Sequence, residues 1–500
     1  TRVDENGLVN YAEVIGGDLI TDGDFPSLTN WSVNNAACDI VGGKAVWTSA
    51  PNATGFTGIN LNNAICEIGK TYKITYTIDS ITEGGLRLRF PDFGTQYNSS
   101  GTYPLTVTNT LTATSTDIYF QCLQTTTASI SNVSVKEVTR DNVPRIDYTG
   151  GGCPHILAEP QRTNNLTASQ DLTNLFWNSI STETIVASTV LSPDGTTFGF
   201  KAIPSSGNTT HYIDYDFGHL SMPSGAELTY SIFVKPFGYT NFQLATSTSF
   251  ASKYQNFELT GDGVVGTGDV NGAKIEKIGE WYRCSITETL LGTTPRVLNI
   301  ALPSSGLGRN PSFVGNSTDG VLLWGGQIEE GAYGTSYIPN LSTTSGSTVT
   351  RNQDTFTRDG IGSLINSTEG VLFVEMALLI DDDSNKYITL TDVLGANKVQ
   401  IDFDYSSSRL QYVVASGGYA QCNIKISYSG TNMDKLAFKW KENDFAVWIN
   451  GVEIGSDTSG LAPIGLNTLK FSAPTGSNNF AGKVKQLQVY DTSLSDEQLL

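Results

Sequence analysis

The feature that most constrains this chain is the spacing of its apolar residues. In Tyr72-Lys73-Ile74-Thr75-Tyr76-Thr77-Ile78 they fall on every second position, with polar residues between. A period of two places one set on the buried face of a strand and the other on the wet face. A similar run, Ala128 to Val138, carries Ile130, Val133 and Val135 with one irregular step. Thr, Val, Ile, Tyr and Phe dominate such runs and suit a pleated, half-buried surface. Long stretches of good helix formers are almost absent, and 51 Gly punctuate the chain. The sequence reads as all-β.

Five hundred residues exceed what one core holds, since single cores stop growing at roughly 250–300 residues. Punctuation divides the chain into three β-sandwich (jelly-roll) domains in tandem, the first over residues 16–138, the second over 166–340 and the third over 363–500. Residues 1–15 read as an extended lead-in with a turn at Glu5-Asn6-Gly7. The connector 139–165 holds Pro144, three glycines at 150–152, Pro154 and Pro160. It also holds Ile146, Tyr148, Ile156 and Leu157, so it is expected to pack against its neighbours. A second connector covers 341–362. Domain two repeats the punctuation of domain one: Leu19-Ile20 leading to Trp31 corresponds to Leu166 leading to Trp177. GKTYKITYTID from Gly69 likewise corresponds to GAELTYSIFVK from Gly225. In domain three, short strands recur at intervals of about 8–12 residues. There Asn450-Gly451 marks a tight hairpin, and Ser495 caps a short terminal helix.

The formal charge is −19. No basic stripe is present to neutralise phosphates, which argues against nucleic acid. No apolar run approaches the ~20 residues of a spanning helix, so membrane insertion is not expected. The chain opens at Thr1, and no signal peptide is visible. Six Cys at 38, 66, 122, 153, 284 and 422 form no CxxC motif; free thiols are expected, with Cys38–Cys66 the one pairing to check.

Several phrases carry a resemblance. Leu19-Ile20-Thr21-Asp22-Gly23-Asp24-Phe25 followed by Trp31, and the closing ISNVSVKEV, make domain one similar to jelly-roll carbohydrate-binding modules of the galactose-binding-like superfold. Domain two, with Glu280-Trp281-Tyr282-Arg283, resembles a more distant copy. Its closing WGGQIEEGAYGTSYIP, with NVPRIDYTGGGCPHILAEPQRTN, is similar to bacteriophage virion fibre and attachment proteins. FKWKENDFAVWINGVEIGSD and FAGKVKQLQVYDTSLSDEQLL make domain three resemble concanavalin A-like (laminin-G-like) lectin domains. The resemblance implies glycan binding, and a structural Ca²⁺ held between the first and last strands of domain one. Asp22 and Asp24 fall in that segment, and carboxylates suit a hard cation. Asn132 stands where that family has Asp, and Pro26 where it often has an acid, which weakens the match.

Catalytic chemistry finds little footing, and no catalytic residue is expected. Strand alternation sets His211 with Ile213, Tyr215 and Phe217, and Asp214 with Asp216 on the other face, which splits the one His–Asp neighbourhood. His155 lies in the connector and His219 at a strand end. Glycoside hydrolysis needs two carboxyls about 5–9.5 Å apart, and domain three lacks the Glu-x-Asp-x-Glu run of glucanases sharing its fold. Glu137, Glu329 and Glu330 read as surface charges. Asp381-Asp382-Asp383 reads first as a solvated turn, with Asp381 and Asp383 a second candidate cation site. Trp31, Trp177, Trp281 and Trp324 read as core. Trp448 differs: if Phe445, Val447 and Ile449 face the core, it faces the other way, either to meet a ligand or to be buried by a covering loop. Trp47 and Tyr97 complete the candidates for ligand contact.

These readings give a non-enzymatic phage fibre or surface-decoration protein on the virion surface. Its expected partners are host-surface glycans or other virion proteins, and it is expected to be a homo-oligomer, a trimer above all. Alternatives are the glycan-binding portion of a secreted polysaccharide-degrading enzyme, a bacterial surface adhesin, and a purely structural virion spacer.

Overall fold

The Tyr72–Ile78 alternation becomes the strand Thr71–Glu83, with Tyr72, Ile74, Tyr76 and Ile78 buried and the residues between them half-exposed. It pairs with the closing strand Thr126–Thr139, where register slips between Ser131 and Ser134 and Asn132 takes a φ of 55°. That β-bulge is the irregular step in the sequence pattern. The computed structural model describes residues 1–51, 57–61, 65–90, 93–113, 115–140, 143–150, 152–180, 185–216, 222–292, 297–302, 308–379, 384–404 and 407–500. They form two compact units, Glu13–Val143 and Thr1–Ala12 joined to Pro144–Leu500. Nearly all regular structure is antiparallel sheet, and one short α-helix, Asp496–Leu499, is present among the described residues.

The first unit is a sandwich of two sheets. One runs Phe93–Asn98, Gly85–Arg89, Tyr119–Cys122, Gly58–Leu61, Trp31–Val33. The other runs Leu105–Thr112, Thr71–Glu83, Thr126–Thr139, Lys44–Ala50, Cys38–Val41, with Val14–Asp18 also on the closing strand. Phe25, Trp31, Trp47, Tyr72, Phe90 and Phe120 fill the space between them. The opening segment lies flat on the closing strand: a Cβ at Gly23 would stand 1.7 Å from the Val133 carbonyl oxygen, so only glycine fits.

The second sandwich repeats this wiring strand for strand. Its first sheet runs Tyr254–Glu258, Asn241–Thr246, Val297–Ala301, Tyr212–Asp216, Trp177–Ile180; its second runs Trp281–Thr289, Glu227–Phe237, Gly320–Glu330, Phe198–Ala202, Val186–Leu191. In chain order each strand takes the place of its counterpart in the first sandwich. Two consecutive strands, Val264–Gly268 and Gly272–Ile278, add one strand to each sheet. Trp31 pairs with buried Leu61, and Trp177 with buried Tyr215, so the matched tryptophans play one core role twice.

The third sandwich takes strands from beyond 363–500. Its seven-stranded sheet begins with Arg145–Asp147 and His155–Ala158 from the first connector, the latter paired with Gly482–Tyr490. Ile156 and Ala158 pack into the third core. The two connectors also pair with each other, Arg162–Asn164 against Val349–Arg351. Residues 1–12 likewise form a hairpin rather than an extended lead-in. Its Val3 and Val9 pack on Phe233, Trp281, Trp324 and Tyr337 of the second sandwich.

The Glu159 carboxylate binds these pieces together. It accepts hydrogen bonds from Arg145 Nη1 at 2.7 Å, Arg351 Nη1 at 2.6 Å, and the Ser336 amide and hydroxyl at 2.9 and 2.7 Å. Arg145 also donates to Asp354 and to the Thr1 carbonyl. Burial alone would raise the Glu159 pKa, but Arg351 and Arg145 overcome it and hold the carboxyl well below the usual range. Removing one member of a buried charge cluster strands the others, so Glu159→Gln is expected to cost about 3–5 kcal/mol in urea unfolding. Because folding depresses this pKa, its contribution is complete above the ordinary carboxyl value and is lost as pH falls below it. The variant is therefore expected to lose less stability on acidification than the parent; an unchanged acid limb would count against this role.

Candidate functional site

Strand alternation that buries one face of each sheet exposes the other, and in both repeated sandwiches the outer face of the first sheet is a polar field. In the first sandwich, Ile59 and Leu61, Leu86 and Leu88, and Phe120 and Cys122 point into the core. Asn60, Arg87, Arg89, Tyr119 and Gln121 therefore point outward. Register sets them in two rows across the strands: Ser32–Asn60–Tyr119–Arg89 and Gly58–Gln121–Arg87–Gln96. Neighbours are joined by hydrogen bonds: Ser32 Oγ donates to Asn60 Oδ1 at 2.6 Å, and Asn34 Nδ2 to Tyr119 Oη at 2.6 Å. The Arg87 guanidinium donates twice to Gln121 Oε1, at 3.0 and 2.8 Å.

The second sandwich has equivalent rows. Asn178–Asp214–Asn299–Ala245–Tyr254 matches the first, and Tyr212–Ala301–Gln243–Asn256 the second. Gln243 is wholly buried beneath Gly308–Asn310: its Nε2 donates to Asn256 Oδ1 at 2.7 Å and to the Gly308 carbonyl, and its Oε1 accepts the Asn310 amide. Arg309 spans the face to the Thr246 carbonyl and Asn299 Oδ1. Burial, then Asp216, raises the Asp214 pKa against the opposing bond from Asn178. One Asp214 oxygen is buried with no donor among the described residues. Asn178, Tyr212, Asp214, Tyr254 and Arg309 stay partly or fully open to solvent. Amides, a carboxylate, a guanidinium and tyrosines on a sheet face are groups that hydrogen-bond sugar hydroxyls and stack on sugar rings.

Sequence reasoning did not select these residues. The signal lay in the polar members of each alternating strand, which were read only as the wet face. The aromatic candidates it chose lie elsewhere. Trp47 is 0% exposed in the first core, because its strand is central to a sheet whose inner face it occupies. Tyr97, opposite Leu86 on an edge strand, packs against the same core. Trp448 does lie on the face opposite Phe445 and Val447, but it is only 5% exposed. Phe373, Leu494 and Leu499 close over it, the last two from the C-terminal segment. A cleft of about 500 Å³ remains beside it, between Phe373, Tyr490 and Leu499.

His211 is buried, with Nε2 at 3.0 Å from the Phe313 carbonyl, and lies across the sheet from Asp214. Phe217 and His219 lie outside the described residues. Glu329, read from sequence as a surface charge, is fully buried. It accepts bonds from the Thr335 amide and hydroxyl and from Gln327 Nε2. All six cysteines are free, and burial pushes the Cys38 and Cys66 thiols up to about 12.

The metal candidates separate. Asp22 is buried, and neither carboxylate oxygen has a partner among the described residues; Asp24 is exposed. No group of three His, Cys, Asp or Glu suited to a metal occurs among the described residues. Asp381 and Asp383 lie outside them.

No family model matches the chain, and no curated protein matches it. Among solved structures it is similar to the Caenorhabditis elegans galectin LEC-6, at 12% identity over 27% of this chain and 91% of that one, with a TM-score of 0.21. It is similar also to the CBM22-1–CBM22-2 tandem of Paenibacillus barcinonensis Xyn10C, at 12% identity over 65% and 99%, TM-score 0.23. Mouse laminin α1 LG4–5 matches at 8% identity over 57% and 86%, TM-score 0.20. At such scores the likeness carries no argument about ligands, and the fold rests on the sheets described above.

The covered Trp448 ring is a packing element. Trp448→Ala is expected to destabilise the third sandwich by about 3–5 kcal/mol, as truncation of a large buried aromatic does. A melting temperature unchanged by the substitution would show that the C-terminal segment does not seal this face.

Proposed function

We propose that this chain is a non-enzymatic glycan-binding protein whose repeated sandwiches present their outer polar faces to sugars. The supporting observation is the equivalence of the two faces. Register brings Asn60, Tyr119 and Arg89 together in one sandwich; Asp214, Asn299 and Ala245 hold the matched positions in the other, with Tyr254 next in that row. A polar field kept on one sheet of both copies, partly buried and held by side-chain hydrogen bonds, is pre-organised for hydroxyl-rich ligands. On this reading, and with the resemblance of the connector and closing phrases, the protein is a fibre or decoration protein of a bacteriophage virion that attaches to host-surface glycans.

A glycan array probed with the parent chain, Tyr119→Ala and Asp214→Ala tests the binding role. The parent is expected to retain specific sugars, and each variant to lose about tenfold in affinity, the size of one or two hydrogen bonds to a charged group or one stacked ring. Melting temperatures should stay within a few degrees. A folded parent that binds no sugar, or variants that bind as the parent does, would overturn the assignment.

Asp22 supports a structural cation in the first sandwich. A carboxylate buried without donors is costly, and a hard cation completed by backbone oxygens would offset that cost. Millimolar Ca²⁺ is expected to raise the melting temperature of the chain relative to chelator, and Asp22→Asn to abolish the difference. Equal melting with Ca²⁺ and with chelator would remove the proposal.

A further inference from the structure

The two faces share a framework but differ in charge. Where the first sandwich places Arg89, the second has Ala245; where it places Arg87, the second has Gln243; where it has Asn60, the second has Asp214. The framework does not require the arginines, since the same wiring and core alternation stand without them in the second sandwich. Arg87 and Arg89 lie two residues apart on the strand Gly85–Arg89, so both side chains leave the same face, about 7 Å apart along it. Both are half-buried. Burial, then the charge of Arg89, lowers the Arg87 pKa. Gln121 orients Arg87 through two hydrogen bonds to its Nε and Nη2, and Tyr119 stands across from Arg89 on the next strand.

We infer that the face of the first sandwich takes a glycan bearing carboxylates, a uronic or sialic acid, and that Arg87 and Arg89 give it that specificity. A guanidinium presents a planar fork of donors that fits a carboxylate, and such charge-assisted bonds are about twice as strong as neutral ones. Tyr119, Asn60 and Ser32 lie in the same row as Arg89 and meet the ring and hydroxyls of the sugar. The second sandwich lacks the arginine pair and sets Asp214 and Arg309 together on the matched face, so it takes a neutral glycan. The two modules divide the ligand by charge. This assignment rests on the reading of these faces as glycan-binding.

The test is an array of galacturonate, glucuronate, mannuronate and sialic acid oligosaccharides, each printed beside its methyl ester, probed with the full chain. The parent is expected to hold at least one acid about tenfold more tightly than its ester, with the preference shrinking as salt rises. Arg87→Gln with Arg89→Ala, which installs the residues of the second sandwich, is expected to erase that preference by weakening acid binding about tenfold more than ester binding, with the melting temperature within a few degrees of the parent. Arg87→Lys with Arg89→Lys keeps the charge without the fork and is expected to retain part of the preference, which also separates lost charge from lost folding. If acids and esters bind equally, or the preference survives the double substitution in folded protein, the inference falls while glycan binding stands. If no sugar on this array or the broader one binds, both fall.

Discussion

Much of the larger unit depends on one buried carboxylate. Glu159 sits where the first connector, the end of the second sandwich and the second connector converge, and its oxygens accept from Arg145, Arg351 and Ser336. A charge placed there would be prohibitive alone; it is tolerable because both oxygens accept hydrogen bonds and both guanidiniums are fixed by further acceptors. The geometry also explains why the connectors are not loose. Arg145 in the first reaches Asp354 in the second, and Arg351 in the second reaches Glu159 in the first, beside the pairing of Arg162–Asn164 with Val349–Arg351. The third sandwich is therefore built partly from residues that precede the second in sequence.

Within each repeated sandwich a different constraint operates. The core needs large apolar residues on alternate positions of every strand, and leaves the intervening positions on the outer sheet open to choice. Trp31 and Trp177 hold one place in the framework, as do Leu88 and Leu244, and Phe120 and Ile300. Between these fixed points lie Arg89 and Ala245, Tyr119 and Asn299. Repetition of the scaffold with divergence on its face lets the outer residues change without disturbing either core.

Much of this was legible in sequence where the cause is local. The alternation around Tyr76 gave strands, Asn450-Gly451 gave a two-residue hairpin with both residues at positive φ, and Ser495 gave the cap of the terminal helix, which Gln498 completes as a capping box. Local pattern also placed Trp448 on the face away from Phe445. What it did not convey is what lies over a face. Leu494 and Leu499 cover Trp448 from more than forty residues away, and Gly308–Asn310 fold over Gln243 from more than sixty. Glu329 looked like a surface charge because nothing in its neighbourhood announces the loop carrying Thr335 that encloses it. Connector strands such as His155–Ala158 and Arg162–Asn164 were hidden for the same reason, since Gly482–Tyr490 and Val349–Arg351, which pair with them, are far away in sequence. The polar residues of the candidate faces were visible as the wet side of strands, but their gathering into rows depends on register between strands distant in sequence.

The most direct test of the central claim is where a bound sugar touches the protein. An oligosaccharide selected on the array, carrying a photoreactive diazirine, is crosslinked to the full chain and the adducts are located by peptide mass mapping. The account requires adducts on the outer faces, at or beside Asn60, Arg89 and Tyr119 or Asp214, Tyr254 and Arg309. Adducts confined to other surfaces, such as the cleft beside Trp448, would contradict it.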